Sequence, residues 1–139
     1  MAVSNLPIFP QAINTGVQSI ANADGTTAKT VFTAGVNGSK CEAIMVASTD
    51  GTNRVVNLFL VRSAVSYLLT TVAVSSNAGN ASNVPGVNLL NTVQLPGTAK
   101  DSNGNQLIYL QSGDTLTVAA TTTVTAGKTI SIVTNGGDF

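Results

Sequence analysis

Short apolar runs separated by glycine-containing turns recur along the chain, and they predict an all-β protein. The clearest run is residues 116–120, where apolar and polar side chains alternate; residues 130–132 alternate in the same way beyond Gly127. Alternation with a period of two places one face of a strand in a core and the other toward solvent. The three-to-four-residue spacing of amphipathic helices is nearly absent. The pattern therefore predicts a half-buried hairpin in this region.

Turns with residues that tolerate positive φ bound the predicted strands. These turns include Asp24-Gly25, Asn37-Gly38, Asp50-Gly51, Ala78-Gly79, Asn103-Gly104, Ser112-Gly113 and Ala126-Gly127. The strands are expected near 16–22, 29–34, 41–47, 55–61, 65–74, 87–94, 106–111, 116–120 and 130–132. Regularly spaced strands without helices predict a single β-sandwich, jelly-roll-like in form. By strand parity, the predicted core side chains are Leu58, Leu60, Leu116, Val118, Ile130 and Ile132.

The first residues differ from this pattern and predict an extended N-terminal arm over residues 1–15, ahead of a sandwich over residues 16–139. The segment NLPIFPQ carries Pro7 and Pro10, which exclude a helix interior and a central strand. Its apolar side chains nevertheless need covering. The arm either binds a partner or covers an apolar edge of its own domain.

Residues 41–47 and 55–61 are largely apolar on both faces, as expected of strands that lie in the middle of a sandwich or are covered by a neighbouring subunit. The candidates for an oligomer interface are Val55, Asn57, Phe59 and Val61. Only 9% of residues are charged and the net charge is zero, so electrostatic repulsion between copies is weak. We expect the protein to self-associate.

Composition narrows the possible partners. The six Lys and Arg are scattered, which argues against nucleic acid as a partner. No run of about eighteen apolar residues predicts a membrane span, and Lys and Arg are missing from residues 1–28, where a signal peptide would carry them. Synthesis in a cytoplasm is therefore expected. The single cysteine, Cys41, lies in an apolar run and is interpreted as a small buried hydrophobe.

Catalysis and cofactor binding are not expected. The chain has no histidine, which removes the usual general base and the commonest metal ligand. Four of the six acidic residues lie at or beside glycine turns, where Asp caps its own backbone. The segment DSNGNQ, residues 101–106, has oxygen ligands at alternate positions, but its glycine comes too early and Ser112 replaces the Glu of a calcium loop. A hairpin turn without metal is expected there.

The low-complexity segment 75–86 predicts a surface loop, and a binding finger is the alternative.

Four segments together carry a resemblance to a known class of proteins. They are NLPIFPQ (5–11), TVFTAGVNGSKCEAIMVASTDGT (30–52), VVNLFLV (55–61) and the chain end NGGDF (135–139). The chain resembles small structural proteins of tailed bacteriophages, encoded among the head genes and thought to be capsid decoration, or cement, proteins. The polar 75–86 segment and the low charge depart from this resemblance and leave the attachment surface open.

The resemblance implies a non-enzymatic virion protein that binds and stabilises the outside of a phage capsid, usually as a homotrimer. Its partners would be the major capsid protein of the same virion and further copies of itself. Leu6, Pro7, Ile8, Phe9 and Pro10 would then form an arm that binds the capsid or a neighbour. The alternative is a tail fibre or spike domain that contacts a host surface.

Overall fold

The chain folds as an all-β sandwich in a computed structural model that describes residues 9–92 and 94–139. Its strands are β1 (Ala12–Ala21), β2 (Lys29–Thr33), β3 (Ser39–Ser48), β4 (Arg54–Arg62), β5 (Val65–Val74), β6 (Val87–Asn88), β7 (Ala99–Lys100), β8 (Gln106–Leu110), β9 (Thr115–Ala120) and β10 (Thr129–Asp138). A 3₁₀ turn at Asn22–Asp24 follows β1. Within the described residues, no helix is long and apolar enough to cross a membrane.

The strands form two antiparallel sheets. Sheet 1 has the order β1-β10-β3-β8-β7, with β6 also pairing with β3, and sheet 2 has the order β2-β9-β4-β5. Two of the ten strands, β6 and β7, contain only two residues each. If the eight longer strands are numbered 1 to 8 along the chain, their order is 1-8-3-6 in sheet 1 and 2-7-4-5 in sheet 2. Successive strands thus cross repeatedly between the sheets, as in a jelly roll. The predicted fold class is confirmed.

The core between the sheets contains the side chains that strand parity predicted. Five of the six predicted residues are fully buried: Leu58, Leu116, Val118, Ile130 and Ile132. Leu60 is only half-buried and packs against this core from its margin. Cys41 is fully buried, as predicted. The predicted hairpin of residues 116–120 and 130–132 is wrong, because β9 pairs with β2 and β4 in sheet 2, whereas β10 pairs with β1 and β3 in sheet 1. Only β10 shows the predicted half-buried pattern, since β9 is buried on both faces from Leu116 to Ala120.

The first strand begins earlier than predicted. Residues 12–15, assigned to the arm by sequence, belong to β1: Ala12 lies opposite Asp138, and Thr15 lies opposite Asn135 in β10. The small and polar residues of this part gave little strand signal. Here the neighbouring strand, rather than local propensity, determines the conformation.

The strand predicted near residues 87–94 is wrong beyond its first two residues. Only β6, Val87–Asn88, forms, and turns follow it. Leu89 and Leu90 are both fully buried. Consecutive residues of a strand point to opposite faces, so a turn is needed to bury both side chains in the same core.

The segment 75–86 forms a series of turns on the surface, as predicted. It is nevertheless attached to sheet 1, because the carbonyl of Ala78 accepts a hydrogen bond of 2.8 Å from the backbone N–H of Ser48. The side chain of Ala78 is fully buried. This loop therefore leads into β6 along a fixed path.

Candidate interaction surfaces

The four interface candidates of β4 lie on one surface, the outer side of sheet 2. Val56 and Leu58 point into the core, so the alternate residues point outward. The regular pairing of β4 with β9 keeps this parity from Val56 to Val61. The structure thus brings the candidates together, and whether another copy covers them stays a prediction.

Leu68 of β5 extends this surface. It lies opposite Phe59 and is 57% exposed, whereas Phe59 is half-buried. We call Val55, Asn57, Phe59, Val61 and Leu68 together the sheet 2 face. Sequence reasoning missed Leu68 because a β-bulge between Leu58 and Phe59 changes the parity of β5 relative to β4.

Two polar side chains on the outer side of sheet 2, those of Asn57 and Thr117, differ in whether they make hydrogen bonds. Asn57 accepts a hydrogen bond of 2.7 Å from the hydroxyl of Thr71, so its side-chain oxygen has a partner within the sheet. Thr117 lies opposite Phe59 in β9 and is buried. Its hydroxyl makes no hydrogen bond to any described residue. The centre of the sheet 2 face is therefore poorly hydrated even in a single copy.

The predicted arm lies mostly outside the described residues. Leu6, Pro7 and Ile8 belong to the part of the chain that the structure does not describe, so their proposed role stays a prediction. Phe9 and Pro10 are described, and both are exposed. Pro10 packs beside Gly137 of β10, where an added Cβ would lie 2.6 Å from the Cβ of Pro10. A glycine at this position is what lets the chain come so close to the sheet.

A second apolar surface lies on the outer side of sheet 1. Val17, Val133 and Met45 are aligned in register across β1, β10 and β3. A cavity of about 460 Å³ opens beside this row, against Gly86 and Val87. We call this cavity and the aligned row the sheet 1 groove. Sequence reasoning missed it, although Met45 and Val133 are apolar residues at the outward parity of their strands.

The carboxylates, in contrast, have partners within the domain, and two of them, Asp50 and Asp114, are buried. Asp50 is buried beyond the end of β3 and accepts hydrogen bonds from Arg54 Nε at 2.8 Å and from the Thr125 backbone N–H at 2.9 Å. The Thr125 hydroxyl and the Thr52 N–H donate to its other oxygen. Burial acts to raise the pKa of Asp50, but these hydrogen bonds outweigh it and hold the pKa below its usual range. Asp50 therefore links the loop between β3 and β4 to the loop between β9 and β10.

Asp138 connects strands of both sheets. Its Oδ1 accepts hydrogen bonds from the Ser39 hydroxyl at 2.5 Å and from Asn14 Nδ2 at 2.6 Å. Asn14 also donates to the carbonyl of Thr33 at 2.8 Å. The bonds from Ser39 and then Asn14 lower the pKa of Asp138. This network joins the NGGD end of β10 to β1 and β3 and, through Asn14, to β2.

The remaining acidic residues also have structural partners. Asp114 pairs with Arg62, Asp24 with Lys29 at 2.8 Å, and Glu42 with Lys40 at 2.7 Å. Asp101 accepts the backbone N–H groups of Asn103 and Asn105, which confirms the predicted hairpin turn between β7 and β8. Among residues 9–92 and 94–139, no group of three His, Cys, Asp or Glu side chains could hold a metal ion.

Comparisons of the chain with protein-family models, with curated proteins and with solved structures gave no match. The sequence resemblance and the surfaces of the molecule are therefore the indications of its function.

Proposed function

We propose that the protein is a structural virion protein, without enzymatic activity, that binds the outside of a tailed-phage capsid as a homotrimer and stabilises it. Its partners are the major capsid protein of the same virion and its own copies, and it is made in the host cytoplasm. The sequence resemblance to capsid decoration proteins supports this function. The jelly-roll-like fold agrees with the β-sandwich that the resemblance implied.

The observation that carries the proposal is the contrast between the charged groups and the outer surfaces. All six carboxylates take part in ion pairs or hydrogen bonds within the domain. The outer sides of the two sheets, in contrast, carry exposed apolar side chains such as Val17 and Leu68. Exposed apolar patches on a small domain mark surfaces that bind other proteins. A protein with this distribution is suited to adhesion rather than to proton transfer.

Attachment to a capsid would be multivalent. Each copy would contribute a modest contact through the arm residues Leu6, Ile8 and Phe9, worth about 2 kcal/mol for each buried side chain before ordering costs. In a trimer the three arms act together, so the combined affinity greatly exceeds that of one arm. Contacts that form only on the assembled shell stabilise that shell by mass action.

The location is tested by electron microscopy of purified virions with gold-labelled antibody against the protein. We expect label over the heads, at a copy number compatible with an icosahedral lattice. Label on the tails would instead support a tail fibre or spike domain. Virions without label and without the protein by mass spectrometry would overturn the proposal.

The attachment surface is tested by cosedimentation with shells that lack the protein. Replacing Leu6 and Ile8 by Asp should abolish binding, because a charged arm cannot enter an apolar contact without a desolvation penalty. Val36→Asp is the matched control, since Val36 is exposed in the turn between β2 and β3. Equal binding by the two variants would place attachment away from the arm.

A further inference from the structure

The sheet 1 groove is an apolar surface that the described residues leave open. Val17 is 78% exposed and Met45 is 42% exposed, although both lie in the middle of long strands. Met45, Ala47, Val87 and Val133 are four of the eight residues that line the cavity. Such an exposed apolar surface in the middle of a sheet is typical of a site that another segment or protein covers.

The chain ahead of β1 turns toward this same side of the molecule. Gly137 lies opposite Ile13 and Lys40, and the side chain of Ile13 is exposed on the outer side of sheet 1. Pro10 packs where the Cβ of Gly137 would lie, so Pro10 also sits on the outer side. The Gln11 N–H donates to the carbonyl of Asp138 at 2.7 Å, which fixes the point where the chain leaves the strand.

Residues 1–8 are long enough to reach the groove from this point. Val133 precedes Gly137 by four positions along β10, which corresponds to about 13 Å. An extended segment covers about 3.3 Å per residue, so Leu6, four positions before Pro10, can lie beside Val133. The eight residues together can span about 26 Å when extended.

The chemistry of the segment matches the groove as well. The sequence MAVSNLPI has no charged side chain, and it is rich in apolar ones. Leu6 and Ile8 fall on the same face when the backbone is extended, while Pro7 points away. A proline at this position is compatible with a segment that lies across a sheet face without joining it as a central strand.

We propose that the sheet 1 groove binds the chain's own residues 1–8, with Leu6 against Met45 and Val133. The free protein then keeps its arm covered, and any larger partner of the arm has to displace it from the groove. Docking across the sheet face also shields the apolar row of β1, β10 and β3 from non-specific association.

Disulfide trapping in the full-length protein tests this arrangement. In a Cys41→Ala background, the pair Leu6→Cys and Met45→Cys is compared with the pair Leu6→Cys and Ser66→Cys, because Ser66 is exposed in β5 on the other sheet. Under mild oxidation, we expect the Met45 pair to form an intrachain disulfide at least about tenfold faster, since docking raises the effective concentration of the two thiols. Intact mass and a non-reducing gel identify the product.

Two outcomes would overturn the proposal. Equal rates for the two pairs would show that the arm does not dock in the groove, and disulfide-linked dimers would show that the groove holds a neighbour's arm instead. A second measurement does not depend on cysteine variants: in the unmodified chain, nuclear Overhauser contacts are expected between the methyl group of Met45 and those of Leu6. Their absence would equally contradict docking.

Discussion

Arg62 and Asp114 form a two-point ion pair that joins the end of β4 to the start of β9. Arg62 Nε donates to Oδ1 at 2.7 Å, and Nη2 donates to Oδ2 at 2.6 Å. The Asp114 side chain is 1% exposed, and its partner is 44% exposed. The carbonyl of Asp114 also accepts the N–H of Ala34, which follows β2. Asp114 thus connects three neighbouring strands of sheet 2, because it precedes β9 and bonds the end of β4 and the residue after β2.

Arg62→Ala should destabilise the protein because it leaves the buried carboxylate of Asp114 without its cation. We expect the free energy of unfolding at pH 7 to fall measurably, but by less than for a fully buried pair, since Arg62 is partly solvated. Urea denaturation measures the change. Lys128→Ala is the control, because Lys128 is exposed and its loss should matter by less than about 0.5 kcal/mol. Equal stability of the two variants would contradict a structural role for the pair.

The stability of the protein should depend on pH mainly in acid. The pKa of Asp114 is lowered by Arg62, and hydrogen bonds lower those of Asp50 and Asp138. A pKa that is lower in the folded state contributes stability above the unfolded value of about 3.9, and this contribution is lost as the pH falls through the folded value. We expect nearly constant melting temperatures from pH 5 to 8, where histidine would otherwise titrate, and a steep decline below about pH 4. A flat profile down to pH 2 would contradict this expectation.

Cys41 should be unreactive in the folded protein. It is fully buried, and burial raises the pKa of its thiol to about 12, so the reactive thiolate is scarce at neutral pH. We expect a disulfide reagent such as Ellman's reagent to label the thiol only as fast as the protein unfolds, and labelling in denaturant to be complete within minutes. Rapid labelling without denaturant would indicate local opening of β3.

Gly16→Ala should be strongly destabilising because β1 crosses close to β2 at this residue. A Cβ at position 16 would overlap the carbonyl oxygen of Val31, and it would lie 2.8 Å from the Thr134 hydroxyl. We expect a loss of about 2 kcal/mol or more in the free energy of unfolding. Gly51→Ala is the matched control, since nothing lies within 4 Å of an added Cβ there. If both variants melt at the same temperature, β1 and β2 are not in close contact in solution.

Self-association should depend on the sheet 2 face. We expect light scattering at tens of micromolar to give the mass of a trimer for the natural chain, and a smaller mass for Phe59→Asp and for Leu68→Asp. Both side chains point away from the core, so a new charge there opposes burial in an interface more than it opposes folding. Val36→Asp serves as the control. A monomeric natural chain would contradict the trimer, and trimeric variants would place the interface elsewhere.

The pattern of apolar and polar residues was enough to predict the fold class and much of the core. Leu116, Val118, Ile130 and Ile132 alternate with polar residues, and a period of two leaves one consistent choice of buried face. Glycine-containing turns likewise predicted most strand ends, because the positive φ that glycine allows depends only on the local backbone. Successive side chains of a strand point to opposite faces, so Val55, Phe59 and Val61 were predicted to face outward once Leu58 and Leu60 were assigned to the core. The candidate interface could therefore be named before the strand partners were known.

Features that depend on contacts between distant segments could be found only in the folded molecule. Thr125 reaches Asp50 across 75 positions, and no local pattern predicts such a hydrogen bond. Residues 12–15 form a strand because β10 pairs with them, and Leu89 and Leu90 close the core in a turn because both side chains must enter it. The sheet 1 groove likewise exists only because Val17, Val133 and Met45 meet in register from three separate strands. Alternation specifies which face of a strand is apolar, whereas pairing and register specify which apolar residues become neighbours.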